Sequence, residues 1–376
     1  MCKTSSVNKT LPPRPKALGS LRHVFASALD SVTGARSPLG YKPKRKVLVI
    51  LVDGMGAENV LARAGHAPWL ANEIANGATT LSSFPATTST NIAGFATGLT
   101  PGEHGFIGHV VKDSRFEERL NLLNGWTDQT DPTLWQPHPT VSQRAASAGV
   151  ACNVIAAEEY RSTGFTKATM REANFFGVDD LATRFDKALE LVSGSEDSIN
   201  YLYVPELDKF GHLNGWQSAG WAMQLEAIAA EINRLIKRLA SDTGVVITAD
   251  HGMLDSSEDE KVELSELLNP LGISFFGGDT RTALLYLDSG SSAQEVSRAI
   301  ADNAYFNCYT PKDLEQWYGT FGQNALDRLP ELVLIAKGNH TLYHSEFSKP
   351  KSYRMIAHHG AFSNAELRIP LIRVGI

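Results

Sequence analysis

The sequence predicts an α/β fold with a doubly wound, mostly parallel central sheet, helices on both faces and a smaller inserted cap. Two observations support this prediction. The continuous apolar, mostly β-branched runs at 47–52 and 245–249 are typical of strands that are buried on both faces, as in a parallel sheet. Such runs alternate with helical segments, for example residues 181–192, and this alternation indicates a series of βα units.

The predicted elements follow from their residue patterns in chain order. The strand at 47–52 ends at Asp53-Gly54-Met55-Gly56 and leads into a helix over residues 58–75, which Gly65 and Pro68 interrupt. The later elements are a helix at 141–148, strands at 150–155, 199–204 and 245–249, helices at 181–192 and 216–240, strands at 282–287 and 331–336, and a helix at 293–303.

Four segments are predicted along the chain. They are a basic arm with a docking helix at 1–45, the core at 46–260, the inserted cap at 261–350 and a return to the core at 351–376, which contains His358 and His359. The docking helix is predicted from apolar residues at helical spacing, namely Leu18, Leu21, Phe25 and Leu29.

The composition is that of an ordinary globular protein. Hydrophobic residues make up 43% of the 376 residues and charged residues 20%, which excludes disordered, collagen-like and coiled-coil chains. The three cysteines stand apart, so they suit neither a disulfide framework nor a thiolate zinc site. No apolar run reaches the roughly 18 residues of a membrane span. The segment before Ala26-Ser27-Ala28 lacks the apolar stretch of a signal peptide, and a cytoplasmic location is therefore predicted.

Charge is distributed unevenly along the chain. The net charge is −6, yet residues 1–45 contain nine Lys or Arg side chains and the single acid Asp30, so the remainder carries about −14. Nothing in this balance predicts a nucleic-acid partner. A body this acidic needs cations at any site that binds an anionic substrate.

Side chains suited to metal binding follow three predicted strands, at the edge where an open α/β sheet carries its reactive groups. They are Asp53, Asp208 with His212, and Asp250 with His251, and the pair His358-His359 adds to them near residue 360. Carboxylates and imidazoles without cysteine suit zinc, and with more oxygen ligands also manganese. Each piece alone is also typical of a helix cap, a turn or a solvated face. Their combination at one edge favours a metal site.

A run of hydroxyl residues, Thr87 to Thr90, precedes a predicted helix. Such a run is typical of a capping segment. It also fits a nucleophile at a helix N-terminus, where free amides and the helix dipole receive a phosphate. Neither a P-loop nor a complete Rossmann glycine fingerprint is present, which argues against nucleotide cofactor binding by those routes.

The order of these motifs resembles the alkaline phosphatase superfamily, specifically its nucleotide pyrophosphatase/phosphodiesterase branch, over about residues 46–376. The motifs are Val52-Asp53-Gly54-Met55-Gly56, Phe84-Pro85-Ala86-Thr87-Thr88-Ser89-Thr90-Asn91, Thr97-Gly98-Leu99-x-Pro101-x-x-His104-Gly105, Asp208-x-x-Gly211-His212, Thr248-Ala249-Asp250-His251-Gly252-Met253 and His359-Gly360.

This resemblance implies two zinc ions bridged by the substrate phosphate, with manganese as an alternative metal. By motif, one ion is held by Asp208, His212 and His359, and the other by Asp53, Asp250 and His251, with Thr88 as its neighbour and nucleophile. Asn91 matches the donor to a phosphate oxygen.

The sequence departs from the family pattern at the nucleophile. The usual Thr-Phe-Pro-Asn-His is here Thr88-Ser89-Thr90-Asn91-Ile92, so Thr87 and Ser89 are rival nucleophiles. His358 likewise rivals His359 as a ligand, although the glycine after His359 favours the latter.

The predicted activity is metal-dependent cleavage of a phosphodiester or nucleotide pyrophosphate through a phosphothreonine intermediate, with a small phosphoester or nucleotide as the substrate. Alternatives in the same superfamily are a phosphomonoesterase and a phosphonoacetate-type hydrolase. A sulfatase is disfavoured because its Cys/Ser-x-Pro-x-Arg motif is missing from the strand–helix junction. Alternatives of another class are a phosphomutase and a non-catalytic metal-binding module.

Four residues are candidates for contacts with the substrate. Lys209 could supply the additional positive charge that a monoester requires. The second substituent of a diester needs an apolar surface, for which the candidates are Phe84, Phe210 and Trp216.

Overall fold

The computed structural model describes Leu11, residues 19–113 and residues 118–376. The predicted basic arm at 1–16 lies outside the described residues apart from Leu11, and so does Leu18 of the predicted docking helix. The other apolar residues of that helix are buried, namely Leu21, Phe25 and Leu29. Within the described residues, no helix combines the length and apolar character needed to cross a bilayer.

The described residues form strands that are labelled here in chain order. They are β1 (Lys46–Val52), β2 (Thr79–Leu81), β3 (Val110–Asp113), β4 (Glu118–Asn121), β5 (Ala151–Ala156), β6 (Asn174–Gly177), β7 (Ser198–Val204), β8 (Thr243–Thr248), β9 (Leu254–Asp255), β10 (Lys261–Glu263), β11 (Ile273–Gly278), β12 (Thr282–Leu287), β13 (Phe306–Tyr309), β14 (Leu332–Ala336), β15 (Thr341–Tyr343), β16 (Ala357–His358) and β17 (Arg368–Val374).

The α-helices are labelled in the same way. They are α1 (Val24–Thr33), α2 (Ala57–Ala62), α3 (Pro68–Ala75), α4 (Thr88–Thr97), α5 (Pro101–His104), α6 (Pro132–Trp135), α7 (Val141–Ser147), α8 (Gly164–Thr169), α9 (Leu181–Ser193), α10 (Glu206–Asn214), α11 (Ala219–Ile236), α12 (Ser265–Leu268), α13 (Ala293–Ala299), α14 (Glu315–Tyr318), α15 (Gln323–Leu326) and α16 (Asn364–Leu367). Short 3-10 turns lie at Leu21–His23, Glu158–Tyr160, Glu258–Glu260, Asn269–Leu271, Lys312–Leu314 and Ser352–Arg354.

The central sheet has seven strands in the order β2-β17-β8-β1-β7-β5-β6. β8, β1, β7, β5 and β6 are mutually parallel, whereas β17 runs antiparallel to β8 and to β2. All seven residues of β1 are buried, as expected for a strand covered on both faces. The mostly parallel α/β fold predicted from the sequence is confirmed.

A second sheet has six strands in the order β13-β14-β12-β11-β3-β4, and its neighbouring strands are antiparallel. Four of these strands come from the segment predicted to be an inserted cap. β3 and β4 come from Val110–Asp113 and Glu118–Asn121, which precede that segment in the chain. The cap at 261–350 stays a prediction, and the second sheet draws on residues outside it.

Two helix boundaries show how local chemistry refines the predicted elements. The predicted helix at 58–75 is two helices, α2 and α3, and Pro68 occupies the first turn of α3, where its missing N–H costs nothing. The predicted helix at 216–240 begins only at Ala219, because the hydroxyl of Ser218 accepts the Trp221 N–H as an N-cap.

Candidate active site

The sheet order places three acidic side chains at one edge. β1 lies between β8 and β7, and the polypeptide leaves these strands at Asp53, Asp250 and the start of α10. α10 carries Asp208 in its first turn and His212 one turn later, so that both side chains lie on the same face. The predicted clustering at the carboxyl ends of parallel strands is therefore present.

Asp208, His212 and His359 form the first of two groups, called group A here. Nε2 of His212 lies 3.3 Å from Oδ2 of Asp208, and Nε2 of His359 lies 3.9 Å from Oδ1 of the same carboxylate. One potential ligand atom from each residue falls within 4.8 Å of the others. This is the donor set and spacing that a single divalent ion requires.

Asp53, Asp250 and His251 form the second group, called group B here. Nε2 of His251 lies 3.3 Å from Oδ1 of Asp53 and 3.5 Å from Oδ2 of Asp250. These potential ligand atoms also fall within 4.8 Å of one another. The two groups are adjacent, since the rings of His251 and His359 stack with their centroids 3.6 Å apart.

Backbone carbonyls orient the imidazoles of group A. Nδ1 of His212 donates to the carbonyl oxygen of Ala357 at 2.9 Å, and Nδ1 of His359 donates to that of Ala86 at 2.8 Å. These bonds place the ring proton on Nδ1, and the lone pair of Nε2 is then free to bind a metal. Both imidazoles thus present Nε2 to the site.

The buried carboxylates fit a bound cation. Oδ1 of Asp53, Oδ1 of Asp208 and Oδ2 of Asp250 are buried and accept no hydrogen bond within the described part of the chain. Burial raises the pKa of Asp53 well above its usual range, and the charges of Asp250 and Asp208 raise it further. Bound cations would satisfy these oxygens and remove the repulsion between the carboxylates, so the six residues fit two metal ions.

Thr88 is the hydroxyl that faces group B. Its Oγ1 lies 3.0 Å from Nε2 of His251. The two rival hydroxyls are engaged elsewhere, because Thr87 donates to Oγ1 of Thr90 and Ser89 donates to the carbonyl of Gly108 at 2.9 Å. The geometry therefore favours Thr88 as the nucleophile.

Helix α4 begins at Thr88, and its N-terminus faces the site. The preceding residue, Thr87, does not cap the helix with its side chain. The N–H groups of the first turn are consequently available for an anion, and the helix dipole favours negative charge at the same place.

The predicted role of Asn91 as a phosphate donor disagrees with its surroundings. Its Oδ1 accepts the Ser83 N–H at 2.6 Å, and its Nδ2 lies 3.1–3.3 Å from the carbonyl oxygens of Thr87, Pro85 and Ser83. The buried amide is thus engaged with the segment before α4, and phosphate binding by Asn91 stays a prediction that these contacts do not support.

His358 does not belong to group A. Its Nδ1 lies 2.8 Å from Oγ1 of Thr280, and its Nε2 lies 3.2 Å from the carbonyl oxygen of Met355. Both ring nitrogens are therefore engaged within the protein. His359, by contrast, has its Nε2 3.9 Å from Oδ1 of Asp208, so His359 is the histidine that belongs to group A.

A cavity of about 180 Å³ opens beside Asp53, Thr88 and Asp208. Its further walls are mostly apolar and aromatic, and they include Ile92, Leu123, Phe165, Met170, Phe175 and Tyr201. Most of this lining comes from β5, β6, β7 and α8 and the segments next to them. The cavity thus joins candidate metal ligands and the candidate nucleophile to an apolar compartment.

The aromatic residues predicted to contact the substrate lie elsewhere. Phe84 is buried and stacks on Phe362 with ring centroids 4.4 Å apart. Trp216 packs against Trp221, and the guanidinium of Arg63 lies over its ring. Both rings thus pack against protein partners, and the structure does not support their predicted contacts with the substrate. Phe210 is likewise absent from the cavity lining among the described residues.

Lys209 lines the cavity, but its charge is already paired. Its Nζ donates to Oε1 of Glu159 at 2.7 Å and lies 5.2 Å from the ring centroid of Tyr160. The side chain is more than half exposed. The structure therefore places Lys209 in an ion pair with Glu159 at the cavity wall.

Two site residues escaped the sequence analysis. Tyr203 donates its hydroxyl to Oδ2 of Asp53 and lines the cavity. His109 lies close enough to His212 for that charge to act on it, and burial together with His212 lowers the pKa of His109 to about 4. No local sequence pattern marks either residue, because both are brought to the site by tertiary packing.

The fold and the site define a chain of the alkaline phosphatase superfamily. The sequence matches the family described as type I phosphodiesterase/nucleotide pyrophosphatase over residues 47–362. The chain therefore belongs to this metal-dependent family of phosphodiester and pyrophosphate hydrolases.

Two curated relatives illustrate the extent of the similarity. The chain is 24% identical over 187 residues to ectonucleotide pyrophosphatase/phosphodiesterase family member 3 of Mus musculus, covering 48% of this chain and 21% of the relative. It is 22% identical over 326 residues to a bis(5'-adenosyl)-triphosphatase of Bos taurus, covering 83% of this chain and 69% of the relative. The chain thus spans about a fifth of the mouse relative.

Solved structures share the fold. Human ectonucleotide pyrophosphatase/phosphodiesterase 5 superposes with a TM-score of 0.69 at 18% identity, covering 87% of both chains. A phosphonoacetate hydrolase from Sinorhizobium meliloti 1021, solved with phosphonoacetate, superposes with a TM-score of 0.66 at 19% identity, covering 89% of this chain and 91% of the other.

Proposed function

We propose that this chain hydrolyses phosphodiesters or nucleotide pyrophosphates at a two-zinc site, with Thr88 as the nucleophile. The observation that carries the proposal is the convergence of Asp53, Thr88 and Asp208 on one cavity. Through these residues, groups A and B and the hydroxyl at the start of α4 border the same space. A phosphoryl group in this space would meet all three at once.

The six residues of groups A and B would hold the two ions. Zinc bound there supplies Lewis acidity, which lowers the pKa of the attacking hydroxyl and stabilises the charge on the leaving oxygen. Manganese remains the alternative, because three of the six ligands are carboxylates.

The residues of the chain then account for the two chemical steps. Thr88 Oγ1 gives up its proton to solvent and bonds to phosphorus, while the ester oxygen departs with the electron pair of the broken P–O bond and takes up a proton from solvent. Water next attacks the phosphothreonine, and the released Thr88 oxygen regains a proton. The free N–H groups of the first turn of α4 bind the non-bridging oxygens in both steps.

Charge favours a diester over a monoester. Groups A and B contain three carboxylates and three neutral imidazoles, so two divalent ions leave the site with one positive charge. A diester carries one negative charge, whereas a monoester carries nearly two at neutral pH. The cation that could have compensated the second charge, Lys209, is paired with Glu159.

The cavity provides room for the second substituent of a diester. Its apolar and aromatic walls would remove the hydrophobic surface of such a substituent from water, which contributes about 25 cal/mol per Å². The walls therefore perform the function that the sequence analysis assigned to Phe84, Phe210 and Trp216.

A panel of three substrates tests the proposal. The purified chain, loaded with zinc, is assayed on bis-p-nitrophenyl phosphate, p-nitrophenyl phosphate and phosphonoacetate, each with and without a chelator. We expect the highest kcat/KM for the diester and loss of activity with the chelator. Faster monoester hydrolysis, or turnover of phosphonoacetate alone, would assign the site to one of the alternative hydrolases. Intramolecular phosphoryl transfer without net hydrolysis would indicate a phosphomutase.

A further inference from the structure

A four-residue turn of the second sheet is hydrogen-bonded to the segment that carries His359. The turn, Asp279–Thr282, joins β11 to β12. Oγ1 of Thr282 donates to the carbonyl oxygen of Gly360 at 2.8 Å, and Oγ1 of Thr280 lies 2.8 Å from Nδ1 of His358. The turn thus holds the residues on either side of His359.

The other two residues of the turn contact the same segment. Arg281 forms a fully buried ion pair with Glu366, whose Oε1 also accepts the Ala361 N–H at 2.9 Å. Asp279 packs so closely on Gly360 that a Cβ there would lie 2.3 Å from Oδ1 of Asp279. Gly360 has a φ of 133°, so both its backbone conformation and this close approach require glycine.

The segment around His359 orients more than one residue of the candidate site. It supplies His359 itself, and the carbonyl oxygen of Ala357 fixes the ring of His212. The carbonyl of Gly360 accepts the Ala86 N–H at 3.3 Å, while the carbonyl of Ala86 accepts Nδ1 of His359. Ala86 lies two residues before Thr88 in the chain.

Group B is oriented by other residues. Tyr203 holds Asp53, and the N–H of Gly54 lies 3.3 Å from Oδ1 of Asp250. Neither contact involves the turn. Because the ring of His251 stacks on that of His359, a disturbance of the turn should change group A directly and group B to a smaller extent.

We propose that Thr282 is a positioning residue, which sets the ligand geometry of group A through Gly360 although it touches neither metal nor substrate. The inference rests on the proposed function in one respect, namely that groups A and B hold two metal ions. Residues that orient metal ligands typically change metal affinity or activity by about 10- to 100-fold when they are altered.

The test compares Thr282→Val, which keeps the side-chain shape but removes the hydroxyl, with the conservative Thr282→Ser. Ser274→Ala is the matched control, because Ser274 also donates a hydroxyl to a backbone carbonyl of this hairpin, that of Tyr286 at 3.0 Å. Zinc affinity is measured by competition with a chromogenic chelator, and the melting temperature of each metal-free protein reports on folding. The kinetic constants kcat and KM are measured at limiting and at excess zinc.

We expect Thr282→Val to bind one zinc equivalent about tenfold more weakly, with a clearly smaller change in the other equivalent. Its kcat at limiting zinc should fall while KM stays constant, and Thr282→Ser and Ser274→Ala should resemble the wild type. If Thr282→Val does not fold, Thr280→Val is predicted to weaken the same equivalent through His358.

The possible failures are distinguishable. A wild-type chain that binds fewer than two zinc ions would contradict the proposed two-zinc site. Two normal zinc affinities in Thr282→Val, or equal weakening of both equivalents, would overturn the positioning role alone. An effect of Ser274→Ala as large as that of Thr282→Val would show that the hairpin acts only through general stability.

Discussion

The hydroxyl of Tyr203 donates a hydrogen bond to Oδ2 of Asp53. The other oxygen of this carboxylate, Oδ1, is buried and accepts no hydrogen bond within the described chain. The two oxygens therefore differ in availability, since Tyr203 occupies Oδ2, whereas Oδ1 lies 3.3 Å from Nε2 of His251. Tyr203 thus orients a candidate ligand of group B, as we propose that Thr282 does for group A through Gly360.

We predict that Tyr203→Phe weakens zinc binding at group B by about tenfold, because Asp53 loses the donor that fixes its carboxylate. The ring remains, so the cavity wall and the fold should be preserved. Chelator competition measures the two affinities separately. Tyr201→Phe is the control, since Tyr201 lines the same cavity without a hydrogen bond to Asp53. Unchanged affinities in Tyr203→Phe would contradict the orienting role.

Thr88→Ala is expected to abolish turnover while the zinc content stays near two ions per chain. The variant removes the attacking oxygen, whereas the six candidate ligands of groups A and B remain. Hydrolysis of bis-p-nitrophenyl phosphate and elemental analysis check the two parts. Thr88→Ser, which restores a hydroxyl, should recover measurable activity. A Thr88→Ala variant with more than a few per cent of the wild-type rate would return Thr87 or Ser89 to consideration.

The assignment of ligands predicts which variants lose which ion. Asp208→Asn or His359→Ala should lose the ion of group A, and Asp250→Asn the ion of group B, because each ion has three protein ligands from its own group. His358→Ala removes no ligand and should retain both ions in excess zinc. Elemental analysis after removal of free metal provides the measurement. Two ions retained in all three ligand variants would refute the assignment.

The sequence allowed the strand-end groups to be predicted for a physical reason. Parallel strands end at the same edge of a sheet, so Asp53, Asp208 and Asp250 converge once their strands are neighbours. The i, i+4 spacing of Asp208 and His212 then required only that the intervening turn be helical, as it is in α10. These predictions depended only on the direction of the strands and on helical periodicity, and local residue patterns encode both.

The direction in which an individual side chain points depends on tertiary contacts, and no local sequence pattern contains these contacts. Asn91 turns inward because its amide matches three carbonyls and one N–H around Ser83 and Pro85. Phe84 is buried by Phe362, a residue almost three hundred positions later. The turn Asp279–Thr282 reaches the site through the packing of two sheets, so its contribution could not be anticipated from residue spacing.

Lys209→Ala is predicted to change the diester-to-monoester preference by less than about threefold, because an exposed ion pair contributes little. The ammonium of Lys209 is 2.7 Å from the carboxylate of Glu159, and both side chains are more than half exposed. A lysine in this state adds little net field at a phosphate, whereas an unpaired ammonium beside Thr88 would favour the doubly charged monoester. The kcat/KM ratio for bis-p-nitrophenyl phosphate and p-nitrophenyl phosphate is measured for the wild type, Lys209→Ala and Glu159→Gln.

Glu159→Gln releases the ammonium from its partner, so it should raise monoester hydrolysis if Lys209 can reach the phosphate. A strong shift towards diesters in Lys209→Ala would show instead that Lys209 leaves Glu159 when substrate binds, and the diester preference would then depend on that rearrangement.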